Sequence, residues 1–180
     1  MTLASLPVHR DPQRPAAGFT WFVYGASLDR VEFTDWAGRH GYHLPDFSAA
    51  VPARLPGYRL AFDVASRSWE GAVASLAESP GDQVEGLALP LPGAARGLVD
   101  HREGVLSGLY VPFEVSLLPL AGGQPIAAIA YRSHPSRRLP AESPPSPVYL
   151  EALIRGARAA GLSPGWVAHL ESLRRRGSRG

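Results

Sequence analysis

The order of the secondary-structure signals is the feature that most limits the fold of this 180-residue chain. Apolar or alternating segments that are typical of strands fill the first 133 residues, and the clearest helix patterns follow residue 145. The strand segments are 18–24, 58–64, 71–79, 83–91, 108–118 and 125–133. Strands followed by helices predict an α+β domain, because a parallel βαβ sheet would alternate the two.

Two pairs of these segments are predicted to form hairpins. Pro-Gly-Asp at 80–82 is a strong turn signal between the third and fourth segments, and the sequence PLAGGQ at 119–124 separates the fifth and sixth. Pro112 lies inside the fifth segment and has no N–H to donate, so its strand is expected at a sheet edge or a bulge.

Helical patterns are predicted at four places. Segments 28–41 and 92–104 are short, and the first has apolar residues at Val31, Phe33 and Trp36. Segment 146–161 begins with Ser as the N-cap and Pro at the first helical position, and segment 163–176 repeats this start. The apolar face predicted for 146–161 consists of Val148, Leu150, Leu153, Ile154 and Ala157. The Pro-rich connector between the sheet and these last two helices should run over the surface.

Composition excludes several classes of protein. The formal charge is only +2, which does not suggest a nucleic-acid partner, and the absence of Cys excludes disulfides, a thiolate nucleophile and Cys-based metal sites. Only His40 and His43 of the six histidines lie close in sequence, so no metal site is predicted. No segment is apolar enough for a membrane span to be expected, and the apolar stretch within residues 1–17 is too short for a signal peptide to be expected. We therefore expect a cytoplasmic protein with no membrane partner, a flexible segment at 1–17 and a single domain at 18–176.

Two segments carry candidate chemistry. The first, YGASL at 24–28, follows a strand with small residues, and it is either a tight turn or a loop whose backbone N–H groups bind an anion. The second places Glu103 before a glycine at the end of a short helix. Glu103 is either a solvated charge or a carboxylate whose pKa is raised by burial into the range of a general base.

Taken in order, six motifs resemble the gamma-glutamylcyclotransferase family. The family pattern has a strand ending in Tyr-Gly-Ser-Asn-Leu, then Gly-Tyr-Arg-Leu-x-Phe, Trp-x-Gly, Gly-Asp-x-Val-x-Gly, Glu-Gly-Val followed by a tyrosine, and Pro-Ser-Pro-x-Tyr. This chain has YGASL from Tyr24, GYRLAF from Gly57, WEG from Trp69, GDQVEG from Gly81, EGVLSGLY from Glu103 and PSPVYLEALIRGA from Pro145. The resemblance spans about residues 19–175 and implies a small mixed β-barrel with surrounding helices.

The resemblance also implies an activity. Members of the family release 5-oxoproline from a γ-glutamyl amide, because the glutamyl α-amine attacks its own side-chain carbonyl, and they need no cofactor or metal. By this resemblance Glu103 is the general acid/base, and the small-molecule γ-glutamyl substrate is held by the 24–28 loop and two tyrosines. These implied substrate-binding residues are Tyr24, Gly25, Ala26, Ser27, Leu28, Tyr110 and Tyr149. The two tyrosines outside the loop can equally be core residues.

One departure from the family pattern lies in the loop. Ala26 and Ser27 stand where the family has Ser-Asn, so any contact made by the asparagine amide is lost. This change leaves the identity of the γ-glutamyl substrate open. Two alternative functions remain at this point: a catalytically silent binding or interaction protein on the same fold, and a hydrolase in which Ser27 is the nucleophile, with Asp100 and His101 as partners.

Overall fold

A computed structural model describes residues 17–177, with side chains up to residue 174. The strands are β1 Phe19–Val23, β2 Val51–Ser66, β3 Gly71–Leu91, β4 Tyr110–Pro119 and β5 Ile126–Ser133. The α-helices are α1 Arg30–Arg39, α2 Arg96–Arg102, α3 Pro147–Ala159 and α4 Pro164–Gly177, and short 3-10 turns occupy Ala26–Leu28, Gly93–Ala95 and Pro135–Arg137. The predicted flexible segment at 1–17 lies outside the described residues, except for residue 17.

The five strands close into a barrel in the order β1, β3, β2, β4, β5. All neighbouring pairs are antiparallel except β1 and β5, which meet in parallel at Trp21 and Ile129, so the barrel is mixed. The largest fully buried side chains include Trp21 and Phe22 of β1 and Tyr131 of β5. The predicted fold class, an α+β domain with a small mixed barrel and surrounding helices, is confirmed.

The predicted hairpin at 71–91 is wrong, because this segment is the single strand β3. Both halves of β3 pair with the same antiparallel neighbour: Pro56 of β2 lies opposite Gln83, and Tyr58 lies opposite Glu78. Residues 79–82 bulge out where this register shifts. Gly81 has a φ of +93°, which glycine adopts readily. The turn signal therefore marks a bulge in β3, and the hairpin turn lies at residues 67–70, between β2 and β3.

The second predicted hairpin is confirmed. Strands β4 and β5 pair from Tyr110 opposite Ser133 to Leu117 opposite Ile126. The pairing of β4 with β2 involves only the far end of β4, at Leu118 and Pro119. Pro112 therefore lies where β4 is bonded on one side, in agreement with the expectation from its missing N–H.

All four predicted helices are present, but Val148 does not belong to the apolar face of α3. Its exposed fraction is 68%, whereas Leu150, Leu153 and Ile154 are buried. At about 100° per residue, Val148 points roughly 160° away from Leu150, which explains its exposure. Within residues 17–177, no helix is both long and apolar enough to cross a membrane.

Helix α3 packs directly on the turn that follows β1. A Cβ atom added at Gly156 would lie 2.5 Å from the backbone nitrogen of Asp29 and 2.6 Å from the carbonyl carbon of Leu28. Only glycine allows this approach, because real Cβ contacts are longer. Asp29 is buried, caps α1 by accepting a hydrogen bond from the Val31 N–H, and pairs with Arg155 of α3. The position of the 24–28 loop is therefore fixed by α3.

Candidate active site

A cavity of about 400 Å³ opens at one end of the barrel, and several elements contribute its walls. These are the end of β1 with the following turn, α1, the end of β2 and the start of β3 with the turn between them, the C-terminus of α2, and the first residues of β4 and α3. The predicted site residues that line it are Tyr24, Gly25, Ala26, Ser27, Glu103, Tyr110 and Tyr149. Leu28 does not line it; this residue is 1% exposed and belongs to the core.

The 24–28 loop forms a 3-10 turn directly after the end of β1. The N–H of Leu28 donates to the carbonyl oxygen of Gly25 at 3.0 Å, and the N–H of Asp29 donates to that of Ala26 at 3.0 Å. Among the described residues, no backbone carbonyl accepts a hydrogen bond from the N–H groups of Gly25 and Ser27. The loop is thus both a tight turn and a segment with N–H groups left for a bound oxygen.

Glu103 is the C-cap residue of α2, and the glycine after it completes the helix end. Gly104 has a φ of +64°, its N–H donates to the carbonyl of His101, and the N–H of Val105 donates to that of Asp100. This is the Schellman arrangement, in which glycine at the position after the cap satisfies the last carbonyls. The Glu-Gly dipeptide therefore ends the helix and places the carboxylate in the cavity wall.

The environment of Glu103 favours its neutral form. Burial raises the pKa of its carboxyl from 4.5 to about 7; the charge of Arg102 lowers it, and that of Asp100 raises it. No side-chain hydrogen bond to Glu103 occurs among residues 17–174, and the residue is half-buried in the cavity wall. A carboxyl whose pKa is near neutrality, and whose oxygens are free to bond a substrate, is suited to both accepting and donating a proton.

Three tyrosine hydroxyls surround the cavity, and their hydrogen bonds differ. Tyr24 donates to the carbonyl of Tyr131 at 2.5 Å, and Tyr110 donates to that of Ala74 at 2.6 Å. The Tyr149 oxygen instead accepts from the N–H of Ala74 at 3.1 Å. Tyr24 and Tyr110 have therefore used their hydrogens, whereas the hydroxyl hydrogen of Tyr149 remains for a substrate oxygen.

Burial keeps these hydroxyls protonated. It raises the pKa of Tyr24 and of Tyr110 well above the usual value of 10. It also raises the pKa of Tyr149 to about 12, against the opposing effect of the N–H groups of Ala74 and Ala26. At neutral pH all three are donors or acceptors of hydrogen bonds and not bases, which leaves Glu103 as the group in this set that can exchange a proton.

The cavity wall also contains residues that the sequence interpretation did not assign to the site, among them Arg102, Glu32, Trp36 and Trp69. Arg102 and Glu32 form an ion pair, with side-chain exposed fractions of 10% and 17%. Trp36 of α1 and Trp69 of the β2–β3 turn supply apolar walls, and the Trp69 ring packs edge-on against Tyr149 with ring centroids 5.1 Å apart. The Trp-x-Gly motif was the available signal for Trp69, but Arg102 had no signal beyond its position next to Glu103.

The geometry does not support Ser27 as a nucleophile. Its Oγ accepts a hydrogen bond from Nε of Arg102 at 2.9 Å, and a guanidinium cannot take the hydroxyl proton. Asp100 instead accepts from Arg96 and Tyr131, and the His101 ring nitrogen bonds the Tyr42 hydroxyl at 3.1 Å. Among the described residues, neither predicted partner hydrogen-bonds Ser27.

The histidines within residues 17–177 do not form a metal-binding group. His40 stacks on Trp36 and meets His101 edge-on, with the two imidazole centroids 5.1 Å apart. Within the described part of the chain, no three His, Cys, Asp or Glu residues are grouped so that they could hold a metal ion.

Comparison with known proteins identifies relatives of this chain. A sequence model of the AIG2-like family matches residues 83–170. The gamma-glutamylcyclotransferase of Bos taurus is 32% identical over 163 residues, which cover 86% of this chain and 78% of the relative. That of Homo sapiens is 32% identical over 152 residues, which cover 80% of this chain and 72% of the relative.

Solved structures share the fold. The crystal structure of an uncharacterized protein from Homo sapiens superimposes with a TM-score of 0.72 at 27% identity, covering 87% of this chain and 88% of that protein. A structure of a gamma-glutamyl cyclotransferase gives a TM-score of 0.71 at 24% identity, covering 91% of this chain and 99% of its own. With the two relatives at 32% identity over most of their length, these results show that the chain belongs to the gamma-glutamylcyclotransferase family of enzymes.

Proposed function

We propose that the protein releases 5-oxoproline from a γ-glutamyl amine or amide, with Glu103 as the general acid/base. The observation that carries this proposal is the position of Glu103 in one cavity with the 24–28 loop, where burial raises its pKa to about 7. A single small substrate can therefore contact the loop with one end and the carboxyl with its reacting atoms.

Substrate binding would use the backbone more than side chains. The Gly25 and Ser27 N–H groups are suited to a carboxylate or to the oxyanion that develops on the side-chain carbonyl. The Tyr149 hydroxyl has a hydrogen to donate to the same carboxylate or oxyanion. A Cβ atom added at Gly25 would lie 3.5 Å from that hydroxyl, so glycine keeps the space between them open.

The reaction is intramolecular and needs one proton to be moved. The neutral α-amine attacks the γ-carbonyl carbon, a C–N bond closes the five-membered ring, and Glu103 as a carboxylate takes a proton from the attacking nitrogen. Protonated Glu103 then gives this proton to the leaving nitrogen as the original amide bond breaks. The products are 5-oxoproline and the free amine, and Glu103 returns to its starting state. Holding the amine close to the carbonyl supplies much of the acceleration.

The sequence of the 24–28 loop does not identify the amine portion of the substrate. Ala26 and Ser27 change the side chains but keep the turn and its N–H groups. The cavity is large enough for more than a glutamyl group, and its remaining walls include Trp36, Trp69 and Leu109. We therefore assign the reaction class and leave glutathione as one candidate among γ-glutamyl amides.

The test is product identification with a panel of γ-glutamyl amides that differ in the amine: amino acids, a dipeptide, an aliphatic amine and an aromatic amine. The proposal expects 5-oxoproline from at least one member. Free glutamate as the product would indicate hydrolysis, and loss of activity in Ser27→Ala with retention in Glu103→Gln would support the serine alternative. If no amide is converted but one binds, the protein is a binding module on the same fold.

A further inference from the structure

Arg102 is a charged side chain in the cavity wall that the reaction above does not use. Its Nε donates to Oγ of Ser27 at 2.9 Å, and Nη2 donates to the carboxylate of Glu32. The guanidinium carbon lies 5.4 Å from the ring centroid of Phe33 and 5.0 Å from that of Trp36. With its side chain only 10% exposed, the guanidinium is fixed in one orientation beside the 24–28 loop.

The guanidinium of Arg102 has donors to spare. It carries five N–H bonds, and the hydrogen bonds to Ser27 and Glu32 use two of them. Among the described residues, none accepts from Nη1. Groups that are largely removed from water are normally hydrogen-bonded, and a guanidinium in a cavity is the side chain best suited to a carboxylate. The unused donors therefore point to an anionic acceptor that the protein itself does not provide.

The substrate of the proposed reaction has such an acceptor. The γ-glutamyl group carries its α-carboxylate two bonds from the attacking amine, and the loop N–H groups already suit that carboxylate. Arg102 bonds Ser27, whose own N–H belongs to the same loop, so a carboxylate on the loop lies next to the guanidinium. Ser27 also stands where the family pattern has asparagine, and its hydroxyl is the group of the loop that Arg102 bonds.

We propose that Arg102 binds the α-carboxylate of the γ-glutamyl group, with Ser27 and Glu32 fixing the direction of its guanidinium. The assignment rests on the proposed cyclotransferase function, and it makes Arg102 the residue that selects glutamyl groups with a free α-carboxylate. Substrates whose α-carboxylate is blocked lose this contact.

The experiment compares two substrates with four proteins. The substrates are the amide of the panel above that wild type converts fastest and the same amide with its α-carboxylate changed to a carboxamide, which still has the attacking amine. The proteins are wild type, Arg102→Gln, Arg102→Lys and the control Arg59→Gln. Arg59 also forms an ion pair, with Glu142 at 2.5 Å, but it does not line this cavity.

The expected result is a difference between the two substrates. Wild type should prefer the carboxylate substrate by about 10- to 100-fold in kcat/KM, the range for a hydrogen bond to a charged group. Arg102→Gln should lose most of that preference, mainly through a rise in KM for the carboxylate substrate that exceeds any change for the carboxamide. Arg102→Lys should keep part of the preference, and Arg59→Gln all of it.

Three outcomes would overturn the assignment. In the first, wild type fails to distinguish the two substrates; this comparison uses no variant, so it does not depend on whether a variant folds. Alternatively, Arg102→Gln could slow both substrates equally, which would mean that Arg102 acts through Glu103 or the loop, or it could slow neither. Each of these leaves the proposed function intact, because wild type still releases 5-oxoproline; absence of 5-oxoproline from wild type with every amide refutes that function itself.

Discussion

Replacing Glu103 by Gln should change how the stability of the protein depends on pH. In the folded state burial raises the pKa of this carboxyl from 4.5 to about 7. Because the folded pKa is the higher one, the folded state binds the proton more tightly. The resulting stabilisation is fully present below about pH 4.5 and is lost as pH rises to about 7. Each pH unit between the two pKa values is worth about 1.4 kcal/mol, so the loss approaches about 3 kcal/mol.

The Glu103→Gln variant lacks this titration. Its free energy of unfolding should therefore not show the part of the decrease between pH 4.5 and about pH 7 that Glu103 causes in wild type. Relative to wild type, it should gain up to about 3 kcal/mol between pH 4.5 and pH 8, as measured by urea unfolding at a series of pH values. Glu78→Gln is the matched control, because Glu78 is an exposed glutamate with 74% of its side chain accessible. If the difference between wild type and Glu103→Gln were the same at pH 5 and pH 8, Glu103 would not be desolvated as described.

Two further predictions concern the rate and the loop. If deprotonated Glu103 is the base, kcat/KM should rise with pH through about 7 in wild type, and a profile that is flat between pH 5.5 and pH 8 would contradict this. Gly156→Ala places a Cβ 2.5 Å from the Asp29 nitrogen, so the loop must shift by several tenths of an ångström or more. We expect a loss of about 1–3 kcal/mol in stability and about 10- to 100-fold in kcat, whereas Gly97→Ala, which has open space, should show neither loss.

The main helices and strands of the fold can be predicted from local sequence, but the strand with which each strand pairs cannot always be predicted. The β4–β5 hairpin and the α3 helix follow from a turn between two strands and from a Ser-Pro start. The 71–91 segment was predicted to fold back on itself at Pro-Gly-Asp, yet both of its halves pair with β2. Local turn chemistry marks a break in the strand and cannot tell a hairpin from a bulge, because the choice depends on a neighbour distant in sequence.

The same limit applies to the candidate site. Small residues after β1 and a Glu-Gly helix end are local signals, and the resemblance connected them. Arg102 was not predicted, because its partner Ser27 lies 75 positions away and only the folded chain brings them together. Leu28 was expected at the site because it belongs to the loop, but its N–H closes the turn and its side chain enters the core.

The most direct test of the central proposal is the rate of 5-oxoproline release by Glu103→Gln. Gln keeps the size and polarity of the side chain but cannot accept and return a proton. With a γ-glutamyl amide that wild type converts, and with folding verified by circular dichroism, we predict a loss of kcat of at least about 100-fold. A folded Glu103→Gln protein that retains the wild-type rate of 5-oxoproline release would contradict the assignment of Glu103 as the general acid/base.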